Sequence, residues 1–196
     1  MLFESIRCEH GRLEQLGFHR ERMERSRGAL LGTADAIDLS VAVEAAASCD
    51  GVHKCRVVYG RGIESVECSP YASRVPGTIA LVADDTIAYE HKFVDRAALQ
   101  ALVASRPDAD DVIIVRHGLL TDASYANIAL FDGTRWATPA RPLLRGTRRE
   151  RLLREGVLDA RDIRPGDLVT YQRISLINAM LDLGVVELPV SGIVLL

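Results

Sequence analysis

The sequence is nearly without lysine: Lys54 and Lys92 stand against 22 arginines in 196 residues. Codon usage accounts for such a bias, which says nothing of function by itself. It does leave two side-chain candidates for any reaction that needs an amine nucleophile. Cysteine is sparse and unpatterned. Cys8, Cys49, Cys55 and Cys68 form neither a CxxC pair nor a Cys/His metal spacing, so they read as reduced, small apolar residues of the interior. No apolar run reaches the length of a membrane span and no signal peptide opens the chain, which makes the cytoplasm the expected compartment. A net charge of −3 gives no general basic footprint for nucleic acid. Internal repeats and low-complexity segments are absent, which excludes solenoids and disordered tails.

What remains is an ordinary globular composition, 48% hydrophobic and 26% charged, in a chain long enough to bury a core without staples. Leu2 to Arg7 reads as a strand, followed by a turn at Glu9-His10-Gly11-Arg12. Phe18 to Leu31 reads as a helix ending near Gly32, and Leu39 to Ser48 as a second. Strands are expected at Cys55–Tyr59, Gly62–Cys68 and Thr78–Val82, with a polar domain boundary at Ala83-Asp84-Asp85-Thr86. Beyond it come a helix over Asp95–Ser105 and strands at Asp111–Val115, Leu119–Thr121, Asn127–Asp132 and Arg135–Thr138. Helices are expected from Thr147 to Glu155 and from Leu176 to Leu183, before a β-rich tail, Val185–Leu196. The fold class is α+β in two small lobes, 1–83 and 84–196, with antiparallel or mixed sheets.

The chemistry-bearing segments are ESIR at Glu4–Arg7, HRERMERS at His19–Ser26, HKFVDR at His91–Arg96, TDASYANIALF at Thr121–Phe131 and TPARPLLRGTRRERLL at Thr138–Leu153. In this order and spacing they resemble the class IV aminotransferases, which include branched-chain and D-amino-acid aminotransferases and 4-amino-4-deoxychorismate lyase. The resemblance implies a D-amino-acid aminotransferase-like fold, pyridoxal 5′-phosphate as cofactor, and a homodimer. It implies neither a nucleic-acid nor a membrane partner.

The resemblance implies roles residue by residue. Lys92 is the amine that joins the cofactor as a Schiff base, for which burial and a nearby cation would keep it neutral. A solvated surface lysine is the commoner role, and Lys54 fills it. Asp122 stands five residues before Asn127, where the family carries the glutamate that faces the pyridine nitrogen and keeps the ring an electron sink. Arg22 matches the arginine that grips the phosphate, since a guanidinium fork suits that anion. Gly146-Thr147-Arg148-Arg149 resembles a glycine-led turn into a helix whose first amides hold the phosphate. The amides of Thr147 and Arg148 count for more here than their side chains, and Arg149 is structural. Asn178 and Ala179 match a second phosphate contact. Tyr89, Arg96 and Tyr125 are candidates for the substrate side, Arg96 following Lys92 by one helical turn. His91, a strand neighbour of Lys92, points to the opposite face.

Two chemistries fit this set. A lyase releases pyruvate from aminodeoxychorismate and leaves 4-aminobenzoate for folate synthesis. An aminotransferase moves the substrate's Cα proton to the cofactor and releases a 2-oxo acid. The lysine-to-arginine spacing favours the first, and the family at large favours the second. A non-catalytic protein keeping the fold is the alternative that Asp122 and the short chain support. An Arg-rich nucleic-acid binder built on Arg141–Arg154 is a further one, which predicts salt-sensitive DNA binding.

Overall fold

The computed structural model describes residues 1–195, and Leu196, the last residue of the expected β-rich tail, lies outside them. The chain forms two compact units, one of residues 1–73 with 91–95 and one of residues 74–90 with 96–196.

The first unit is a four-stranded antiparallel sheet with two helices. Its strands are β1 (Leu2–Glu9), β2 (Arg12–Leu13), β3 (Val52–Tyr59) and β4 (Ile63–Pro70), in the order β2-β1-β3-β4. Apolar residues alternate along β1 and β3, so Leu2, Ile6, Cys55, Val57 and Tyr59 share one face. Met23 of α1 (Leu16–Leu31) and Ala42 of α2 (Ser40–Ala46) cover that face. The β1–β2 turn takes the left-handed backbone at His10 (φ 47°) and Gly11 (φ 76°), which matches the strand twist of a tight hairpin. Gly32 ends α1 in the same conformation (φ 66°), as expected for a helix C-terminus.

Phe3, on the other face of β1, receives Lys92 against the strand edge. The Phe3 amide donates to the Lys92 carbonyl (2.9 Å), the Val94 amide donates to the Met1 carbonyl (3.1 Å), and Leu2 and Phe93 form an isolated antiparallel bridge. These bonds draw 91–95 into the first unit. The expected lobe of 84–196 placed this segment with the second, which its position in the chain favoured and its backbone pairing overrides.

The second unit is built on a nine-stranded mixed sheet. Its strands are β5 (Ile79–Ala83), β6 (Asp111–Arg116), β7 (Leu119–Ala123), β8 (Asn127–Phe131), β9 (Trp136–Pro139), β10 (Leu158–Arg161), β11 (Arg173–Ile177), β12 (Glu187–Pro189) and β13 (Ile193–Val194). The main path runs β10-β9-β8-β7-β6-β5-β13, with β11 pairing β8 and β12. Helices α3 (Ala97–Ala104) and α4 (Thr147–Arg154) complete it. The division falls at Ser73/Arg74 rather than 83/84, because β5 pairs in parallel with β6 and β13 and so belongs to this sheet.

The helix expected over Leu176–Leu183 is absent. Arg173–Ile177 pairs antiparallel with β8 through five residues, and the chain then turns at Asn178. A short apolar run has no period that separates a buried strand from a helix. Here β8 supplied the partner that decided it. Among the described residues, no helix is long and apolar enough to cross a membrane.

Candidate active site

Lys92 is half-buried, with its Nζ 4.7 Å from the centroid of the Phe3 ring. The guanidinium of Arg56 lies 4.1 Å from the same centroid. The ring face attracts cations, while two cations on one ring repel each other. Neither Phe3 nor Arg56 stood out in the sequence, since each reads as an ordinary strand residue. His91 is turned to α1, its Nδ1 3.0 Å from Ser26 Oγ. It anchors the segment that carries Lys92. Lys54, the other lysine, is half-buried in β3, paired in register with Arg7 and Ser69.

On the opposite face of β1, Glu4 is completely buried. It accepts hydrogen bonds from His19 Nδ1 (2.7 Å) and Arg22 Nε (2.9 Å), and it pairs with Arg22 Nη2. Both donors come from the first turns of α1, which β1 packs beneath. Burial by itself pushes the Glu4 carboxyl up, but Arg22 and then His19 outweigh it and hold the group at about 2. Burial pushes His19 down against the pull of Glu4, so the imidazole stays neutral. Arg22 thus has an internal counter-ion, which the motif match did not disclose.

This triad has a consequence for stability. Glu4 is depressed, so its contribution is present above its unfolded value near 4.5 and is lost as pH falls through about 2. His19 adds to the loss, because only the unfolded chain takes up its proton readily below about 6.5. Arg22→Ala leaves a buried carboxylate without its cation, and we expect about 3–5 kcal/mol of destabilisation at neutral pH. Urea denaturation of the variant checks this, and an unchanged midpoint would remove Arg22 from the core.

In the second unit Asp122 ends up opposite Asn127, its direct register partner across β7 and β8. Asn127 Nδ2 donates to Asp122 Oδ1 (2.7 Å), and the Leu144 amide donates to Oδ2 (2.8 Å). Burial raises the Asp122 carboxyl to about 6, against the Leu144 amide, Asn127 and Arg149, which pull it down. A carboxylate held this way, near neutrality and 5% exposed, is suited to a cationic ring nitrogen.

Gly146 precedes α4, and no side chain caps that helix. The first amides of an α-helix have no acceptor within it and attract an anion. Thr147 is 3% exposed, and its Oγ1 is buried without a hydrogen-bond partner among the described residues. A buried hydroxyl left unpaired is costly unless a ligand completes it. That orphan, at a helix N-terminus, fits the phosphate of pyridoxal phosphate. Arg148 spends its side chain elsewhere, on Asp182 (2.5 Å) and the Ala179 carbonyl (3.3 Å). Arg149 donates to the Pro139 carbonyl (2.7 Å) and Glu150 (2.8 Å), a structural post.

Asn178 is spent on the fold: its Nδ2 donates to the Tyr125 carbonyl (3.3 Å), and its Oδ1 accepts from the Met180 and Leu181 amides (2.8 and 3.1 Å). Arg96 Nη2 donates to the Ser124 carbonyl (2.7 Å). Residues 124–125, and with them half-buried Tyr125, are therefore held from two sides. Tyr89 is buried in this unit. The chain has two asparagines, Asn127 and Asn178, and the side chain of each bridges separate segments, Asn127 to Asp122 and Leu144, Asn178 to Tyr125.

The arginine cluster at 141–154 does not assemble into a bare cationic face. Arg141 pairs with Asp162, Arg145 and Arg149 with Glu150, Arg148 with Asp182, and Arg151 with Glu155.

The description of the family Amino-transferase class IV matches residues 90–188, just over half of the chain. A curated Haemophilus influenzae protein of no assigned function is 32% identical over 187 residues, 91% of this chain and 97% of its own. A crystal structure from Haemophilus somnus 129PT, provisionally named a 4-amino-4-deoxychorismate lyase, superposes with a TM-score of 0.83 at 33% identity. It covers 93% of this chain and 97% of that one. The PLP-bound form of a hypothetical aminotransferase from Mycobacterium tuberculosis shares the fold (TM-score 0.76, 23% identity, 98% and 80% covered). The chain belongs to the class IV aminotransferases, a family of enzymes that work with pyridoxal 5′-phosphate.

Proposed function

We propose that this enzyme acts on 4-amino-4-deoxychorismate, releasing pyruvate and 4-aminobenzoate, with Lys92 as the amine that joins the cofactor. The observation that carries the cofactor reading is the buried, unpartnered Thr147 hydroxyl at the start of α4. The lyase assignment is supported by Arg96, four residues after Lys92, and by the provisional name of the 33% identical relative.

In this reading, Thr147 Oγ1 and the amides of Thr147 and Arg148 hold the phosphate. Arg22, held by Glu4, is the arginine that the family resemblance assigns to the phosphate. Asn178 and Ala179 support this seat indirectly, by fixing Tyr125 and Arg148. Asp122 faces the pyridine nitrogen. Bound there, the cofactor serves as an electron sink for the carbon bearing the substrate amine. Lys92 Nζ takes the proton from that carbon and holds it. In a lyase the same amine would return a proton to the departing three-carbon unit, and in an aminotransferase it would be the group that relays the proton onward. Tyr89, Arg96 and Tyr125 lie on the substrate side. The enzyme works as a homodimer in the cytoplasm, in folate synthesis.

The second reading, an aminotransferase, is favoured by the family match itself, since every group named above serves it equally. Purified protein saturated with pyridoxal phosphate is given 4-amino-4-deoxychorismate, and 4-aminobenzoate and pyruvate are measured. Equimolar appearance of both is expected. Amino-group transfer from an amino acid to a 2-oxo acid, without the two products, establishes the second reading. A protein that binds no pyridoxal phosphate overturns both.

A further inference from the structure

We infer that Asn127 is a positioning residue that couples the two ends of the cofactor seat, holding the Asp122 carboxylate and shaping the approach to α4 with one side-chain amide. This rests on the reading above, in which Asp122 meets the ring nitrogen and the α4 N-terminus meets the phosphate.

Three bonds close a ring. Asn127 Nδ2 donates to Asp122 Oδ1 (2.7 Å) and to the Leu144 carbonyl (2.8 Å), and the Leu144 amide donates to Asp122 Oδ2 (2.8 Å). Both hydrogens of one NH2 group are thereby used. One goes to the carboxylate, the other to the loop that leads into α4. The carbonyl end of the same side chain lies against Gly146. A Cβ built there would overlap Asn127 Oδ1 and stand 3.1 Å from its Cγ. Gly146 has an ordinary φ of −70°, so conformational freedom is not the reason for glycine. The space is taken by Asn127.

A shift of the Asn127 amide therefore moves the carboxylate, the loop and the first residues of α4 together. Burial and register keep it in place: Asn127 is 5% exposed, and it stands opposite Asp122 in the strand pairing. The charged side chain whose field reaches Asp122 is Arg149 of α4, itself held by Glu150 and the Pro139 carbonyl. Its contribution stays constant when Asn127 alone is changed.

The test uses Asn127→Ala, Gly146→Ala and the double variant. The titration of Asp122 is followed by its 13C carboxyl signal in cofactor-free protein, and pyridoxal phosphate affinity is measured by direct titration. We expect the Asp122 midpoint to move up by about one unit in Asn127→Ala, the usual effect of removing a hydrogen bond to the charged form. The dissociation constant for pyridoxal phosphate should rise about tenfold or more. Gly146→Ala should weaken the cofactor similarly by displacing Asn127, and the double variant should be no worse than the poorer single one, since both act on one contact.

An unchanged Asp122 titration in folded Asn127→Ala overturns the proposal. So does a shifted titration with unchanged cofactor affinity, which would confine Asn127 to the carboxylate. Should Asn127→Ala not fold, Gly146→Ala is decisive by the same two readouts. If the wild-type protein binds no pyridoxal phosphate, the functional reading fails, while the Asp122 titration still reports on Asn127.

Discussion

Lys92→Ala removes covalent attachment of pyridoxal phosphate, and turnover falls by about 100- to 10,000-fold, the span contributed by a positioned proton-transfer group. That range corresponds to about 3–5.5 kcal/mol of transition-state stabilisation. The expectation follows from the geometry of the first unit. Lys92 is fixed by its carbonyl to Phe3 and by His91 to Ser26, with its amine over the Phe3 ring. A backbone held this firmly survives truncation of the side chain, so the variant should fold and keep wild-type stability. Borohydride reduction of the wild-type holoenzyme should label one peptide, the one holding Lys92. Labelling at Lys54, in the register of β3 between Arg7 and Ser69, would contradict the assignment. So would Lys92→Ala protein that retains turnover within tenfold of the wild type.

Asp122→Asn is expected to lower turnover about 100- to 1,000-fold at saturating cofactor, the usual loss when one fixed electrostatic partner of a developing charge is removed. Its stability is a poorer reporter. Both carboxylate oxygens of Asp122 accept bonds, from Asn127 Nδ2 and the Leu144 amide. An asparagine at 122 sets an NH2 group against one of those donors, a mismatch that costs roughly 1–3 kcal/mol.

The pH dependence carries the sign. Burial raises the Asp122 carboxyl to about 6 in the protein without cofactor. Stability from this group is therefore present below its unfolded value near 3.8 and lost as pH rises through about 6. A cationic ring nitrogen beside the carboxylate reverses that cost, so cofactor should stabilise the wild type more at pH 7 than at pH 5. Asp122→Asn should show no such dependence. Asp122→Glu keeps the charge but adds a methylene to a closed site, a change that typically costs about 1–3 kcal/mol. Its turnover should stay within tenfold of wild type. Full activity in Asp122→Asn together with loss in Asp122→Glu would make Asp122 a packed residue of β7 with no part in catalysis.

Much of the chain was legible from residue pattern. The strand over Leu2–Arg7, the His10-Gly11 turn, the helix closing at Gly32 and the helix from Thr147 all appear where the residue pattern puts them. Each depends on interactions within a few residues, which sequence encodes directly. The segment Leu176–Leu183 reads as a helix from its sequence because a short apolar run fits either period. Pairing with β8, more than forty residues earlier in the chain, took Leu176 and Ile177 into the strand Arg173–Ile177.

The site divides in the same way. The residue types and their order pointed to the family and its cofactor. The roles proposed for Lys92, Asp122 and the turn at Gly146-Thr147 come from the resemblance to that family. Only the tertiary structure decided what those groups touch. It set Glu4 of β1 against His19 and Arg22 of α1, and Phe3 beneath Lys92. It also closed Asp122, Asn127 and Leu144 into one ring beside Gly146. The reason is physical: most of these pairs join residues at least 15 apart in the chain, and even Asp122 and Asn127, five apart, face each other only through the register of β7 and β8.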